Sequence, residues 1–321
     1  MRLIKPARLH IDDTVGVFSP SWPATQRRML DRGIEKLEDM GLRVKIADHA
    51  LGKHYYSAGT REERLEDFHT LWKDPEVRMV LMSQGGCTAS QLLDGIDYDM
   101  IRDNPKIFSG ISDGTTLLNA IYARTGLVTF HGPDVIWTFG QKMTSQIEEN
   151  VMRTFFESQP IELKPNMNWQ HQVKLGVKYD GWKCLREGKA TGRLVGGHIR
   201  VLVNTILAGY GPDFKGAMLF LEGTDSVART HSFITALRLH GVFESIAGVI
   251  LGWFDGSELE DNNLFRPVSE AFLEETKDYD FPVLEIGELG HNVENYVFPI
   301  GCNTTVDATR KRILLNESPV A

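Results

Sequence analysis

The stretch that decides the fold is "PKIFSGISDGTTLLNAIYARTG", Pro105 to Gly126. Apolar residues suited to a buried strand end at Gly110, and a helical pattern begins near Thr115. Between them Gly110-Ile111-Ser112-Asp113-Gly114 matches G-x-S-x-G, a tight strand-to-helix turn that can lift a serine hydroxyl clear of a sheet. A Ser-Asp pair ahead of a helix also serves as a plain N-cap, so the pentapeptide alone leaves both roles open.

Outward from this turn the same rhythm continues. "TVGVFSPS", "LRVKIAD", "VRMVLMSQGG", "KIFSGIS" and "GLVTFHG" read as strands, and amphipathic helices such as "ATQRRMLDRGIEKLEDMG" and "REERLEDFHTLWKD" lie between them. Such alternation predicts βαβ units and a parallel, flavodoxin- or Rossmann-like sheet over residues 1–160. Residues 161–190 read as a strand-poor crossover carrying Trp169 and Trp182. Residues 191–321 read as a second α/β domain, with strands "AMLFLEG" and "IAGVILGWF" and a terminal hairpin in "TTVDATRKRILL".

Composition narrows the function. The 321 residues are 42% hydrophobic and 24% charged, with a formal net charge of -8 and no basic block, which argues against a nucleic-acid partner. Three scattered cysteines fit a reducing compartment, and no run spans a bilayer or resembles a secretion signal. We therefore expect a cytoplasmic protein that needs no membrane, no metal and no cofactor, with a homodimer as a possible assembly.

A serine needs a base and an acid. Of ten histidines, His291 stands out because it follows "IGELG" at the end of an apolar run, where functional loops are displayed. Glu222 closes "AMLFLEG", a strand apolar enough to be covered on both faces, and a carboxylate there demands a partner. Asp113, Asp225 and Asp255 also fall at strand ends, although each can serve as a cap or turn residue. The pair Gly85-Gly86 in "SQGGC" could bring a backbone N–H to a substrate carbonyl. All of these residues lie at predicted strand C-termini, where open α/β sheets bind ligands.

With these residues in view, the sequence resembles the LD-carboxypeptidase family of serine peptidases, including its microcin C self-immunity branch. The likeness runs in order through "VGVFSPS", "LLDGIDYDMIRDNPKIFSGISDGTTLLNAIYARTGLVTFHGPD", "GRLVGGHIRVL", "LFLEGTD", "GVILGWF" and "GHNVENYVFPIG". It implies a Ser112-Glu222-His291 triad split between two domains, with the backbone N–H groups of Asp113 and Gly86 forming the oxyanion hole. It also implies hydrolysis of the amide next to a terminal residue, in a small peptide such as a muropeptide or in an aminoacyl-nucleotide conjugate. We lean to the second, with Trp169 or Trp182 stacking on the base and Asp255 as a further substrate contact. The departures from the family pattern, Cys87 after the glycine pair, "NVEN" after His291 and "GISDGT" at the turn, bear on the pocket rather than the chemistry.

Two rival expectations come from the residues themselves. The chain order Ser112, Glu222, His291 is also that of an α/β-hydrolase esterase, against which stands the absence of an HGGG-type motif before the turn. A non-catalytic two-domain binding protein would share the two α/β halves and the crossover.

Overall fold

A computed structural model describes residues 2–168, 179–256 and 266–321. In chain order its strands are β1 (Thr14–Phe18), β2 (Arg43–Ile46), β3 (Val77–Met82), β4 (Ile107–Gly110), β5 (Thr129–His131), β6 (Ile161–Leu163) and β7 (Lys183–Arg186). They continue with β8 (Lys189–His198), β9 (Met218–Gly223), β10 (Gly248–Phe254), β11 (Val283–Glu285), β12 (Phe298–Ile300), β13 (Asn303–Asp307) and β14 (Arg312–Leu315). They build two sheets, of order β12-β5-β4-β3-β1-β2 and β6-β14-β13-β8-β9-β10-β11-β7. The expected two-domain α/β architecture is the one observed.

The first sheet is parallel from β2 to β5, because each of its strands feeds a helix that crosses back over the sheet. Its strands β1 and β4 are wholly buried, and β3 nearly so, as their unbroken apolar runs require. Helix boundaries follow local chemistry. Thr60 and Glu63 form a reciprocal capping box at the start of helix Arg61–Lys73. Among the described residues no helix is long and apolar enough to cross a membrane.

Two differences from the sequence reading concern connectivity. The stretch expected to be a strand-poor crossover supplies two edge strands of the second sheet: β6 pairs with β14, and β7 pairs antiparallel with β11. Conversely, β12 leaves the second half and pairs antiparallel with β5 at the edge of the first sheet.

The sheets are joined through the helix Thr115–Thr125 that follows the serine turn. Asn119 Nδ2 donates to the Gly196 carbonyl at 2.8 Å, and the His198 N–H donates to Thr115 Oγ1 at 3.0 Å. Thr205 Oγ1 meets Thr116 Oγ1 at 3.2 Å. All of these groups except Thr205 sit at or near the C-terminal end of β8 or the first turns of the helix, so the docking fixes the serine turn against the second sheet.

Candidate active site

The turn at Ser112 has the geometry that the G-x-S-x-G spacing demands. Ser112 adopts φ 62°, a left-handed conformation that costs a non-glycine residue on the order of 1–3 kcal/mol and is held only by its surroundings. Met82 explains the flanking glycines: a Cβ on Gly110 would stand 2.2 Å from the Met82 sulfur, and one on Gly114 would stand 2.7 Å from it. Asp113 turns its side chain away, accepting the Ala89 N–H at 2.8 Å.

The glycine pair after β3 presses on the same turn. A Cβ on Gly85 would lie 2.6 Å from Ser112 Cβ and 3.0 Å from its Oγ, so any side chain there would displace the serine. Gly86 adopts φ 152°, and a Cβ there would reach 2.2 Å from Ser21 Oγ. Ser21 Oγ in turn accepts the N–H groups of Cys87 and Thr88, which fixes the path of the loop.

From the second sheet come the expected acid and base. Glu222 is fully buried near the end of β9, and its Oε2 lies 2.7 Å from His291 Nδ1. The ring proton is therefore on Nδ1, leaving Nε2 as an acceptor. His291 sits on the loop between β11 and β12, braced by Asn295, whose side chain accepts the Gly290 N–H at 2.6 Å and donates to the Gly290 carbonyl at 2.8 Å.

Electrostatics sharpen the pair. Burial opposes ionisation of Glu222, but His291, His198 and His131 around it hold the carboxyl well below the usual carboxylate range. Burial likewise opposes charge on His291, yet Glu222, with Asp255 and Asp134, raises it above the ordinary histidine value. His131 and His198 have no such bonded acid, and burial pushes both down to about 4, so both are neutral at physiological pH. Asp134 is pushed up to about 7 by burial, against the N–H groups of Trp137 and Thr138 that its Oδ1 accepts.

Ser112, Gly85, Gly86 and His291 line one cavity of about 250 Å³ between the sheets. Asp255 also lines it and accepts the Asn292 side-chain N–H at 2.7 Å. The "NVEN" residues that follow His291 contribute Asn292, Val293, Glu294 and Asn295 to the wall, whereas Cys87 is not among the lining residues.

Of the two tryptophans expected to stack on a base, Trp182 is ruled out by its burial: it is 1% exposed, and its Nε1–H donates to Glu288 Oε2 at 2.6 Å. Trp169 lies outside the described residues. Among the described residues, the indoles on the cavity wall are Trp22 and Trp137, 48% and 46% exposed. Trp137 is carried by a π-helical turn, Val135–Phe139, capped by Asp134, and its Nε1–H donates to Gln84 Oε1 at 3.2 Å. Its signal in the sequence is an Asp three residues ahead of an aromatic at the end of a parallel strand, which reads equally well as core.

Comparison with known proteins identifies the family. The LD-carboxypeptidase N-terminal domain matches residues 15–132, and the LD-carboxypeptidase C-terminal domain matches residues 191–306. The microcin C7 self-immunity protein MccF of Escherichia coli is 30% identical, covering 97% of this chain and 94% of that protein. A Bacillus subtilis (strain 168) protein named "Probable murein peptide carboxypeptidase" is also 30% identical, over 97% of this chain and 94% of its own. The structure of MccF in complex with aspartyl sulfamoyl adenosine superposes with a TM-score of 0.91 at 28% identity, covering 99% of this chain and 100% of that one. With both domain families matched in order around a strained serine, a buried acid and its histidine, the chain belongs to the LD-carboxypeptidase family and is a serine carboxypeptidase.

Proposed function

We propose that Ser112, His291 and Glu222 form the catalytic triad, and that the substrate is an aminoacyl-nucleotide conjugate cleaved at the amide next to its acidic residue. The observation that carries the triad is the 2.7 Å contact from His291 Nδ1 to a fully buried Glu222, at the rim of a cavity that Ser112 also lines. With its proton fixed on Nδ1, His291 can accept the Ser112 proton at Nε2 as the oxygen attacks the carbonyl. The negative charge that develops on the carbonyl oxygen is received by the backbone N–H groups of Asp113 and Gly86. His291 then returns its proton to the leaving nitrogen, the C–N bond breaks, and water removes the acyl group by the reverse sequence.

The substrate reading rests on the cavity wall. Trp22 and Trp137 offer exposed indole faces, and a base stacked on an aromatic side chain gains roughly 1–3 kcal/mol without any sequence of hydrogen bonds. Solved MccF structures contain aspartyl sulfamoyl adenosine and glutamyl sulfamoyl guanosine, ligands of this chemistry. The murein-named relative favours the other reading, a muropeptide tetrapeptide losing its terminal residue.

The test is to offer purified protein both an aminoacyl-sulfamoyl-adenosine and a muropeptide tetrapeptide, and to follow release of the amine by mass spectrometry. Selective cleavage of the first supports the proposal, and selective cleavage of the second replaces it. Ser112→Ala should abolish either reaction, by on the order of 10⁴- to 10⁶-fold in kcat, with the fold intact. Residual activity of more than a few per cent in that variant would remove Ser112 as the nucleophile.

A further inference from the structure

A third histidine stands on the acid and has no place in the triad. His131 is the last residue of β5, in the sheet that carries Ser112, and it is wholly buried. Its ring packs edge-on against Phe220, with centroids 5.2 Å apart, a setting that would suit a phenylalanine. Yet among the described residues neither of its ring nitrogens has a hydrogen-bond partner. Unpaired polar atoms at such depth are uncommon and costly.

The same is true of the group it faces. Glu222 Oε2 is held by His291, but Oε1 is buried and unpartnered, and His131 Nε2 lies 3.9 Å from it. His198 is the weaker candidate: its Nε2 is engaged by Thr224 Oγ1 at 3.0 Å, and although its Nδ1 is also buried and unpartnered, among the described residues only His131 and His291 come within ion-pair distance of Glu222. Two orphaned groups, a possible donor and an ionised acceptor, thus confront each other across the junction of the two sheets.

We propose that His131 is a positioning residue of the active site, whose Nε2–H is the second hydrogen-bond donor to Glu222, closing on Oε1 while His291 holds Oε2. The inference rests on the triad reading above. The gap must shrink by about 1 Å, a displacement within reach of small rotations of both side chains. No proton is transferred: His131 stays neutral and Glu222 stays ionised. With both oxygens engaged, the carboxylate cannot turn away from His291 Nδ1. The contact also links the acid to the nucleophile's own strand, because His131 pairs with Gly110, and the Gly132 N–H donates to the Gly110 carbonyl at 3.0 Å, two residues before Ser112.

The proposal has a pH signature. The groups facing Glu222 are His131 from β5, His198 from β8 and His291 from its loop. Those facing His291 are Glu222, Asp255, Asp134, His198 and His131 itself, and His198 also feels Arg200 and Asp225. A donor on Oε1 withdraws charge from the carboxylate and so moderates its pull on the His291 proton. Removing that donor strengthens the pull, His291 holds its proton to higher pH, and the acid limb of the rate profile moves up.

The experiment compares His131→Phe with His131→Gln, which keeps an N–H near the Nε2 position. The readouts are the pH profile of Ser112 phosphonylation by a fluorophosphonate, with loss of fluoride, together with steady-state kinetics and the melting temperature. His131→Phe should slow phosphonylation and kcat by about 10-fold, with KM unchanged, since a lost hydrogen bond to a charged group has that order of effect. Its acid limb should rise by about half a pH unit. His131→Gln should recover to within about threefold of wild type. A purely structural histidine would lower the melting temperature without moving the limb, and that result overturns the proposal. So does an equal loss of rate in both variants. Should His131→Phe fail to fold, the tautomer of His131 in the ¹⁵N-histidine-labelled wild type decides: Nε2–H supports the proposal, and Nδ1–H overturns it. Glu222→Gln separates the two levels of inference. If that variant keeps the wild-type rate, the triad reading falls and this one with it. If it is slow while His131→Phe is not, only the role of His131 is refuted.

Discussion

Glu222→Gln is the most searching perturbation of the proposed triad, because it keeps shape and removes charge. The wild-type contact is a 2.7 Å hydrogen bond to an ionised, fully buried carboxylate. Hydrogen bonds to charged groups contribute roughly 1.5–3 kcal/mol, or about 10- to 10²-fold in rate if the bond matters only as the imidazolium forms. Glutamine adds a second loss. Its amide can donate to His291 Nδ1, which places the ring proton on Nε2, facing Ser112, where a base must be bare. The two effects together should reduce kcat/KM by about 10³- to 10⁴-fold at neutral pH.

The residual activity should also change its pH dependence, in a direction the site dictates. Burial is the largest influence on His291 and disfavours its charge, and Glu222 is what outweighs it. In wild type the base is therefore protonated at a pH above the ordinary histidine value, and activity is lost as pH falls through that raised pKa. In Glu222→Gln only Asp255 and Asp134 oppose burial, so the pKa drops and the acid limb moves to lower pH. The assay is kcat/KM on the cleaved substrate from about pH 5 to about pH 9, with thermal melting as the fold control. A folded variant within tenfold of wild type, its acid limb unmoved, would refute the assignment of Glu222.

Other expectations are sharper in one measurement each. Gly85→Ala puts a Cβ 2.6 Å from Ser112 Cβ, so kcat should fall by about 10²-fold or more, with only about 1–3 kcal/mol lost in chemical denaturation. Trp22→Ala or Trp137→Ala should raise KM for a nucleotide-bearing substrate by about 10-fold while leaving acylation of Ser112 by a small probe unchanged; equal effects on nucleotide and peptide substrates would remove the stacking role. Lys106, buried and pushed down to about 8 by its burial, donates to the carbonyls of Leu71, Asp74 and Val77. Lys106→Met should cost about 2 kcal/mol in denaturant melts without altering kcat, since the carbonyls lose their donor far from the site.

How much of this was legible in the sequence depended on how strongly burial constrained each segment. The central strands are covered on both faces, so "VRMVLM" and "AMLFLEG" are nearly unbroken apolar runs, and a glutamate at the end of one is conspicuous. The serine turn was legible because Met82 tolerates nothing larger than glycine at either flank. Edge strands lack that constraint. β6 and β7 are three and four residues long and partly exposed, and β12, "FPI", contains a proline tolerated only where a ladder hydrogen bond can be forgone. The burial of Trp182 and the exposure of Trp137 were hidden for a related reason. An indole can satisfy its one N–H at Glu288 inside the protein or at Gln84 on a cavity wall, and composition does not distinguish the two. His131, ending "TFH", looked like an ordinary strand terminus, and only the pairing of the two sheets reveals what it faces.

The route of the chain gives the base a particular mechanical position. β11 belongs to the second sheet and β12 to the first, so the loop between them, which carries His291, is anchored at one end to the sheet of Glu222 and at the other to the sheet of Ser112. Had the loop returned within one sheet, a shift between sheets would displace the base fully from one of its partners. Tethered to both, it divides any such shift between the contact to the acid and the approach to the serine. The anchors are strong where this matters. Asn295 pins the loop's backbone at Gly290, Glu294 Oε1 accepts the Thr144 N–H at 2.7 Å, and Glu288 accepts the Asn166 N–H and the side chains of Tyr179 and Trp182. Those last donors belong to the segment that supplies β7, so Trp182, one of the residues first expected to touch the substrate, instead holds the loop that carries His291. A substrate that wedged the sheets apart would therefore weaken the His291–Glu222 contact only in part, which would leave the proposed proton relay largely in register.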